Sequence, residues 1–444
     1  YAVVKTARFC PDYESFMVKN TSPGYPWSNV YRTKKDAFKD KRVSLYIADR
    51  VANAALPHGL WACVCKAEPK KFEKILAHAT RTIVAAPIEV QAESSFLFGE
   101  MNENIHHAGR CFRIPSTVGT THFYLGWHDL FRRLYRGGVN AFGLAVDYTN
   151  FDGSCLEEEF DVVRDVRYGL YVPELQTLDT YDRLSAYYDE VVHTLIVMDT
   201  GDVIQKHIGN PSGQTNTLTD NGMINELRWY YLWLSCAPPE LHTLEAFRDS
   251  CELIVCGDDS LITVEYKARL FFTPERIKDI STRMGWFFKF ESAAYEPLHR
   301  LSYCSKNFFW FMGYVLPVPN NVEKLLASIL YGSKGRPDLP RETLSRILGI
   351  RMEAFWLTGF RALLEEYINY LFNRYDYSLR QDPPKDMPTY SDLLVMKRDW
   401  ISMIQLFTDG LEIDDRDWHP FLKGPVPSFP NDHIVDVKFG ARVS

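Results

Sequence analysis

The chain has 444 residues, 46% hydrophobic and 24% charged, with a net charge of −7. That is an ordinary globular composition, for two or three domains or one large body with subdomains, and any nucleic-acid contact must rest on locally concentrated cations. Nine cysteines without a Cys-x-x-Cys pair argue against a disulfide framework and a zinc ribbon, and for a reducing compartment.

No apolar stretch reaches the ~18 residues needed to span a bilayer. The longest, Phe308 to Val318, is broken by Gly313 and Pro317. The chain opens at Tyr1 without a signal peptide, which reads as a processed product or an excised fragment. With no repeat, low-complexity tract or long Gly/Ser linker, one compact body is expected.

Thr21-Ser22-Pro23-Gly24-Tyr25-Pro26-Trp27 cannot be helical, because each proline restrains its predecessor. This rigid loop precedes Arg32, Lys34, Lys35, Lys39, Lys41 and Arg42. Cations beside aromatics suit a strand-guiding groove; a solvated charge run has the same composition. Lys66-Ala67-Glu68-Pro69-Lys70-Lys71, Lys74 and Arg81 then lead into the β-prone run Thr82-Ile83-Val84. Converging, those cations would line a channel for triphosphates. Glu89 to about Arg136 is mixed helical, and Trp127, Leu130, Phe131 and Leu134 make one core-facing stripe. His106, His107, His122 and His128 lack a metal-ligand arrangement and read as structural or surface groups.

Gly143-Leu144-Ala145-Val146-Asp147 is a short apolar strand ending in a carboxylate, with Asp152 five residues on. Glu157, Glu158 and Glu159 open a helix, where acidic groups complement the dipole, and carry no assigned chemistry. A helix from Pro173 to Glu190 is followed by a strand from Val191 to Met198, a turn at Asp199–Asp202 and a return strand to Ile208. The loop Gly209-Asn210-Pro211-Ser212-Gly213-Gln214 runs into a helix whose Thr217 and Asn221 share a face. Such side chains can read a ribose or merely cap the helix.

Leu253-Ile254-Val255 and Leu261-Ile262-Thr263-Val264 flank Cys256-Gly257-Asp258-Asp259-Ser260, which reads as a β-hairpin with its tip at Gly257-Asp258. Two adjacent carboxylates resist joint ionisation, and a hard divalent cation such as Mg²⁺ is the usual remedy. Beyond it come a helix from Pro274 to Met284 stopped at Gly285, a strand Trp286–Glu291 and a strand region from Leu301 to Lys306. Phe287, Phe288 and Phe290 would partly desolvate Lys289; the alternative on a strand is that Lys289 points to solvent while alternate aromatics face the core. From Val322 to about Gly410 the pattern is helical, with pairs at Leu325/Ile329, Leu344/Leu348, Leu363/Tyr367 and Trp400/Ile404. The Pro-rich tail from Ile413 reads as irregular.

A strand with Asp147-x₄-Asp152, a Ser212-Gly213-x₃-Thr217-x₃-Asn221 loop–helix and a Gly257-Asp258-Asp259 hairpin, in that order, resemble the palm motifs of viral RNA-dependent RNA polymerases. Thr21–Pro26 resembles the family's template-guiding loop, and Lys66 to Arg81 its basic finger motif. The likeness covers most of residues 20–310 and is nearest the picornavirus-like supergroup of positive-strand viruses. The wording of Gly209–Gln214 and Asp220-Asn221 is similar to astrovirus-like and potyvirus-like enzymes. Cys256 departs from the Tyr common before Gly-Asp-Asp. Tyr303-Cys304-Ser305 replaces the picornavirus Phe-Leu-Lys-Arg primer grip and looks nidovirus-like, and Lys289 stands closer to Gly285 than the family's general-acid lysine.

The resemblance implies an α+β closed right hand with an antiparallel palm sheet and a mostly helical thumb. Fingers would span 1–142, with the template-guiding loop at 21–27 and the basic motif at 66–84, and an insertion at 165–208. Palm would be 143–164 and 209–306, and thumb 307–444. It also implies RNA-directed nucleotidyl transfer. Asp147 and Asp258 would bind two Mg²⁺ ions, with Mn²⁺ as a substitute and Asp259 as a secondary ligand. Lys66 and Arg81 would neutralise phosphates, and Asp152, Thr217 and Asn221 would read the ribose, beside a mobile Ser212-Gly213 loop. Lys289 would act as general acid, with His299 or Lys306 as substitutes. Ser22, Gly24, Tyr25, Lys70, Lys74, Tyr303, Cys304 and Ser305 would contact RNA. Partners would be template RNA, primer or nascent RNA, ribonucleoside triphosphates and other viral replication proteins, at replication complexes in the host cytoplasm. A reverse transcriptase or an inactive polymerase-like RNA-binding protein are the alternatives.

Overall fold

The strand Phe142–Tyr148 is the centre of a five-stranded antiparallel sheet, and Gly143 to Val146 are buried because both faces are covered. On one side it pairs with Asp259–Val264, which pairs in turn with the outer strand Cys251–Cys256. On the other side lie the short strands Phe288–Phe290 and Glu296–Pro297. The two runs flanking Gly257-Asp258 do form a hairpin, with Gly257 at φ +62° as its tight turn requires. In this computed structural model the described residues are 4, 6–53, 59–66, 68, 70, 72–77, 79–330, 339–384 and 387–409. Lys71 and the tail from Ile413 lie outside them.

Strand alternation sends side chains to two cores. Leu253, Val255 and Ile262 pack with Ile224, Trp229, Leu232 and Trp233 of the 20-residue helix Thr217–Cys236. Ala145, Ile254 and Leu261 face the helix Gly126–Tyr135, meeting the predicted stripe Trp127, Leu130, Phe131 and Leu134. The sheet is therefore held from both sides, with the hairpin tip at its end.

A second sheet has the spatial order Thr82–Ala85, Leu60–Cys65, Leu195–Val197, Val203–Gln205. Leu60–Cys65 pairs antiparallel with Thr82–Ala85 and parallel with Leu195–Val197, so distant parts of the chain share one sheet. Val191 and Val192, expected in a strand, instead finish the helix Leu178–Val192. Its buried Leu184, Tyr187, Tyr188 and Val191 recur at helical spacing, which overrides the local β-propensity.

The apolar run Phe308 to Val318 forms the hairpin strands Lys306–Phe311 and Tyr314–Pro319, turned by Met312 and Gly313 at positive φ. Helices Val322–Leu330, Pro340–Glu353, Thr358–Arg380, Tyr390–Met396 and Trp400–Thr408 follow, around a separate core. Of the apolar pairs that mark these helices, Leu363/Tyr367 faces solvent, and Leu364, Ile368 and Leu371 turn inward. Trp400 is also exposed. Spacing identifies a helix, but in a helix with apolar residues on two sides it does not say which is covered.

Glu159, assigned no chemistry above, is buried. It accepts from Arg228 Nε at 2.7 Å and Nη2 at 2.8 Å, and from the Leu156 amide at 2.8 Å. The guanidinium lies 4.6 Å over Phe151 and 5.0 Å over Trp286. Removing one partner would strand a buried charge. Glu159→Gln is expected to lose about 3–5 kcal/mol of stability in urea denaturation. Adding Arg228→Met should recover most of that loss; no recovery would mean the pair contributes through something other than charge compensation.

Candidate active site

The sheet register places the carboxylates. Asp147 is the cross-strand partner of Lys289, so both point to the same face, and both are exposed. On the other side Val146 pairs with Ser260, and one further step of that register sets Asp147 beside Asp259. Cys256 is paired with Asp259. The row Cys256, Asp259, Asp147, Lys289 therefore crosses four strands, with Asp258 exposed at the turn. Asp147 Oδ1 accepts from the Tyr148 amide at 2.9 Å.

Desolvation raises the Asp258 carboxyl, Asp147 adds to the rise, and Arg81 opposes it. Asp259 is pushed up to about 6 by desolvation and by repulsion from Asp258 and Asp147. Among the described residues no three His, Cys, Asp or Glu side chains lie close enough to hold a metal ion as they stand. The donor set itself, hard carboxylate oxygens with charge left uncompensated, fits a divalent cation such as Mg²⁺.

Asp152 lies at the start of the next turn, where Asn221 Nδ2 donates to its Oδ1 at 2.7 Å. Burial raises this carboxyl, while the Asn221 hydrogen bond and Arg81 pull it down. Thr217 donates to the carbonyls of Pro211 and Gln214, both at 3.0 Å, so its hydroxyl ties the loop to the helix. Asn225, four residues beyond Asn221, was not singled out from sequence. Its Nδ2 donates to the carbonyls of Gly257 and Asp258, each at 3.0 Å, and its Oδ1 accepts from Tyr148 at 3.1 Å. The available signal was the repeat Thr217, Asn221, Asn225 at four-residue spacing, a polar stripe along one face of the helix.

The basic groups gather on one carboxylate. Lys66, Lys70 and Arg81 lie 3.6, 3.6 and 3.7 Å from Glu68. Lys70 also donates to the Ala79 carbonyl, and Lys74 is exposed. Ser212 is exposed, while Gly213 is docked on the neighbouring strand, its amide donating to the Val84 carbonyl at 3.0 Å. A Cβ on Gly213 would sit 2.5 Å from that carbonyl oxygen, so only glycine permits the approach.

In the loop at 21–27 Gly24 is buried at φ +75° against Ala86, Ser22 is exposed and Tyr25 half-buried. Trp27 anchors the loop by donating to Glu89 at 2.8 Å. Tyr303 differs from expectation: it is buried, stacked near Trp127 and hydrogen-bonded to Thr117 at 2.7 Å, so its ring holds the turn. Cys304 and Ser305 form that turn at positive φ, with Ser305 exposed. The aromatics do not bury Lys289, because Phe288 turns into the core and Lys289 to the opposite face. Lys306 is paired with Glu353 at 3.1 Å.

This fold and site define a class. The sequence signature of the viral RNA-dependent RNA polymerases matches residues 5–374, and the chain belongs to that family of nucleotidyltransferases. It is 26% identical over 340 residues to the non-structural polyprotein 1AB of ovine astrovirus 1, covering 74% of this chain and 24% of that polyprotein. It is 26% identical over 339 residues to the genome polyprotein of tobacco vein mottling virus, covering 74% of this chain and 10% of that one. The chain thus spans about a quarter or less of either relative. The solved Sicinivirus 3Dpol RNA dependent RNA polymerase matches with a TM-score of 0.67 at 18% identity, over 90% of this chain and 82% of that chain. The two share the α+β right-hand architecture. Among the described residues no helix is long and apolar enough to cross a membrane.

The raised Asp259 carboxyl has a stability consequence. The folded state holds its proton toward pH 6, whereas an unfolded Asp releases it near ~4. The folded state binds more protons between those values, so stability falls as pH rises through them. In metal-free buffer the melting midpoint should decline from pH 4.5 to 7, and less steeply in Asp259→Asn. Mg²⁺ should raise the midpoint more at pH 7 than at pH 5. Equal slopes for wild type and variant would remove Asp259 from the cause.

Proposed function

We propose that this chain replicates a positive-strand viral RNA genome, joining ribonucleoside monophosphates from their triphosphates to a primer or nascent 3′-hydroxyl and releasing pyrophosphate. The observation that carries this reading is the row Asp259, Asp147, Lys289 across the sheet, with Asp258 at its tip and Asp152 held by Asn221. Asp147 and Asp258 would hold two Mg²⁺ ions, or Mn²⁺ in their place, with Asp259 as secondary ligand or orienting group. When bound, the ions supply Lewis-acid activation of the hydroxyl and neutralise phosphate charge.

The chain's own residues do the rest. Arg81 and Lys66, held by Glu68, meet the triphosphate, and Asp152 with Asn221 reads the ribose hydroxyls. Thr217, expected to read the ribose as well, donates its hydroxyl to the Pro211 and Gln214 carbonyls and instead keeps the Ser212-Gly213 loop beside them. Ser22, Tyr25, Lys70, Lys74, Cys304 and Ser305 would face RNA, mainly its backbone, because base pairing reads sequence, while the buried Gly24 shapes the loop that carries Ser22 and Tyr25. Residues 1–142 and 165–208 act as fingers, 143–164 and 209–306 as palm, and 307–444 as thumb. Shared sheet pairing between 60–85 and 195–205 supports that division. The setting would be replication complexes in the host cytoplasm, with other viral replication proteins as partners.

A reverse transcriptase shares the paired aspartates but has no use for a donor–acceptor pair built to meet a 2′-hydroxyl, so the Asn221–Asp152 contact favours ribonucleotides. Template-dependent extension of a primed RNA with Mg²⁺ tests the whole reading. Asp258→Asn should lower it by roughly 10³-fold or more, since each 1.36 kcal/mol of barrier is about tenfold. A loss smaller than about tenfold would displace the ions from this site.

Lys289, flanking Asp147, would donate a proton to departing pyrophosphate, a contribution of roughly 10²–10⁴-fold. Lys289→Leu should slow the chemical step and remove the high-pH limb of the pH–rate profile. Lys289→Arg should be intermediate at best, because a guanidinium scarcely gives up its proton. Equal rates for Arg and wild type would leave Lys289 as a charge only.

A further inference from the structure

Behind the ribose-reading pair lies an unbroken line of polar side chains that ends at a second, buried carboxylate. Arg167 and Asp220 have no side-chain exposure. Arg167 Nε and Nη2 donate to Asp220 Oδ1 at 3.0 and 2.6 Å, and Nη1 donates to Asn102 at 3.1 Å. Asp220 Oδ2 accepts from Gln214 Nε2 at 3.1 Å. The same Gln214 nitrogen donates to Asn210 Oδ1 at 2.7 Å. Asn210 Nδ2 donates to Asn221 Oδ1 at 2.8 Å, and Asn221 Nδ2 to Asp152 Oδ1 at 2.7 Å.

The line has a direction. A carboxylate that takes two N–H bonds from Arg167 can only accept, so Gln214 must present its NH₂ end to it. Tyr187 donates to the Gln214 carbonyl at 3.0 Å and reinforces the same orientation. With its NH₂ so placed, Gln214 also donates to Asn210, whose own NH₂ must then point to Asn221. Asn221 is left with its oxygen occupied and its NH₂ facing Asp152. One Asn221 N–H and one Asp152 oxygen then remain for a hydroxyl, one to donate to it and one to accept from it. Gln214, Asn210 and Asn221 are all buried, so water cannot replace a lost partner cheaply.

We propose that Asp220, held by Arg167, is a positioning residue for sugar selection: it sets the orientation of three consecutive amides and thereby the N–H that Asn221 offers beside Asp152. The inference rests on the polymerase reading above. It assigns a role in ribose choice to an ion pair that touches no nucleotide, and it makes Gln214 and Asn210 the connection.

The test is single-nucleotide addition with matched ribonucleotide, its 2′-deoxy counterpart and a mismatched ribonucleotide, compared as kcat/KM. Two variants are needed. Asp220→Asn removes the charge that orients the line but leaves Arg167 unbalanced. Gln214→Met keeps the Arg167–Asp220 pair and interrupts the line, and its melting midpoint reports whether the fold is kept. Both should lower the ribose-to-deoxyribose ratio by roughly tenfold, the discrimination of about one hydrogen bond, with matched-to-mismatched discrimination unchanged. A wild-type protein that extends no primer overturns the polymerase reading and this inference with it. A wild-type protein with a ribose preference that persists in folded Gln214→Met overturns the inference alone. Parallel loss of sugar and base discrimination also overturns it, because a general distortion of the site moves both.

Discussion

One face of the helix Thr217–Cys236 fixes the distances on which the candidate site depends. Asn221 reaches Asp152, Asn225 reaches the two carbonyls of the hairpin turn, Arg228 reaches Glu159, and Trp229 donates to Ser260 at 3.1 Å. These partners come from three segments with no local reason to lie at a set spacing. A helix rises ~1.5 Å per residue, so successive contacts four residues apart are about 6 Å apart along its axis. Because the four side chains are buried, a shift of the helix breaks several bonds at once, and each unpaired group would be costly. The geometry is over-determined by polar satisfaction on one side and by Trp229, Leu232 and Trp233 packing on the same helix.

Against that rigid support stands a group of carboxylates that the fold does not neutralise. Burial and then the Asp147 charge raise the proton affinity of Asp258, burial and then the Asp258 and Asp147 charges raise that of Asp259, and Arg81 opposes the rise at Asp258 and Asp152. Several buried acids elsewhere are matched: Glu159 by Arg228, Asp220 by Arg167, Glu190 and Glu93 by Arg50. The contrast separates structural charge, which is paired within the chain, from charge kept available for something that arrives.

Much of this was legible in the sequence because the relevant signals are local. The hairpin followed from two β-prone runs around Gly257-Asp258, and the central strand from the small apolar run before Asp147. Gly213 and Gly24 stand where the backbone must approach another segment closely. What escaped was non-local. Glu159 looked like an ordinary helix-opening acid because Arg228 lies 69 residues away. Asn225 passed as one more polar residue of its helix because its acceptors are turn carbonyls 32 and 33 residues away. Tyr303 was read with its neighbours as one RNA-contacting motif, although the pleat buries it against Trp127 and leaves Ser305 outside. In Thr358–Arg380, Leu363 and Tyr367 have the right spacing for a core pair, yet the neighbouring helices lie against the Leu364 side.

The topology of the two mixed-origin sheets bears on how the chain acquires its structure as it is made. Leu60–Cys65 gains its parallel neighbour only when Leu195–Val197 exists, and Phe142–Tyr148 waits for a hairpin more than a hundred residues downstream. Until then each presents an open strand edge lined with apolar side chains, the kind of surface that recruits other chains. Pairings so distant in sequence carry a large closure cost before they return any energy, which slows folding. Nascent chains that stop before Val264 would therefore be poor folders and prone to clump, and neither sheet can serve as an early, self-sufficient nucleus on the ribosome.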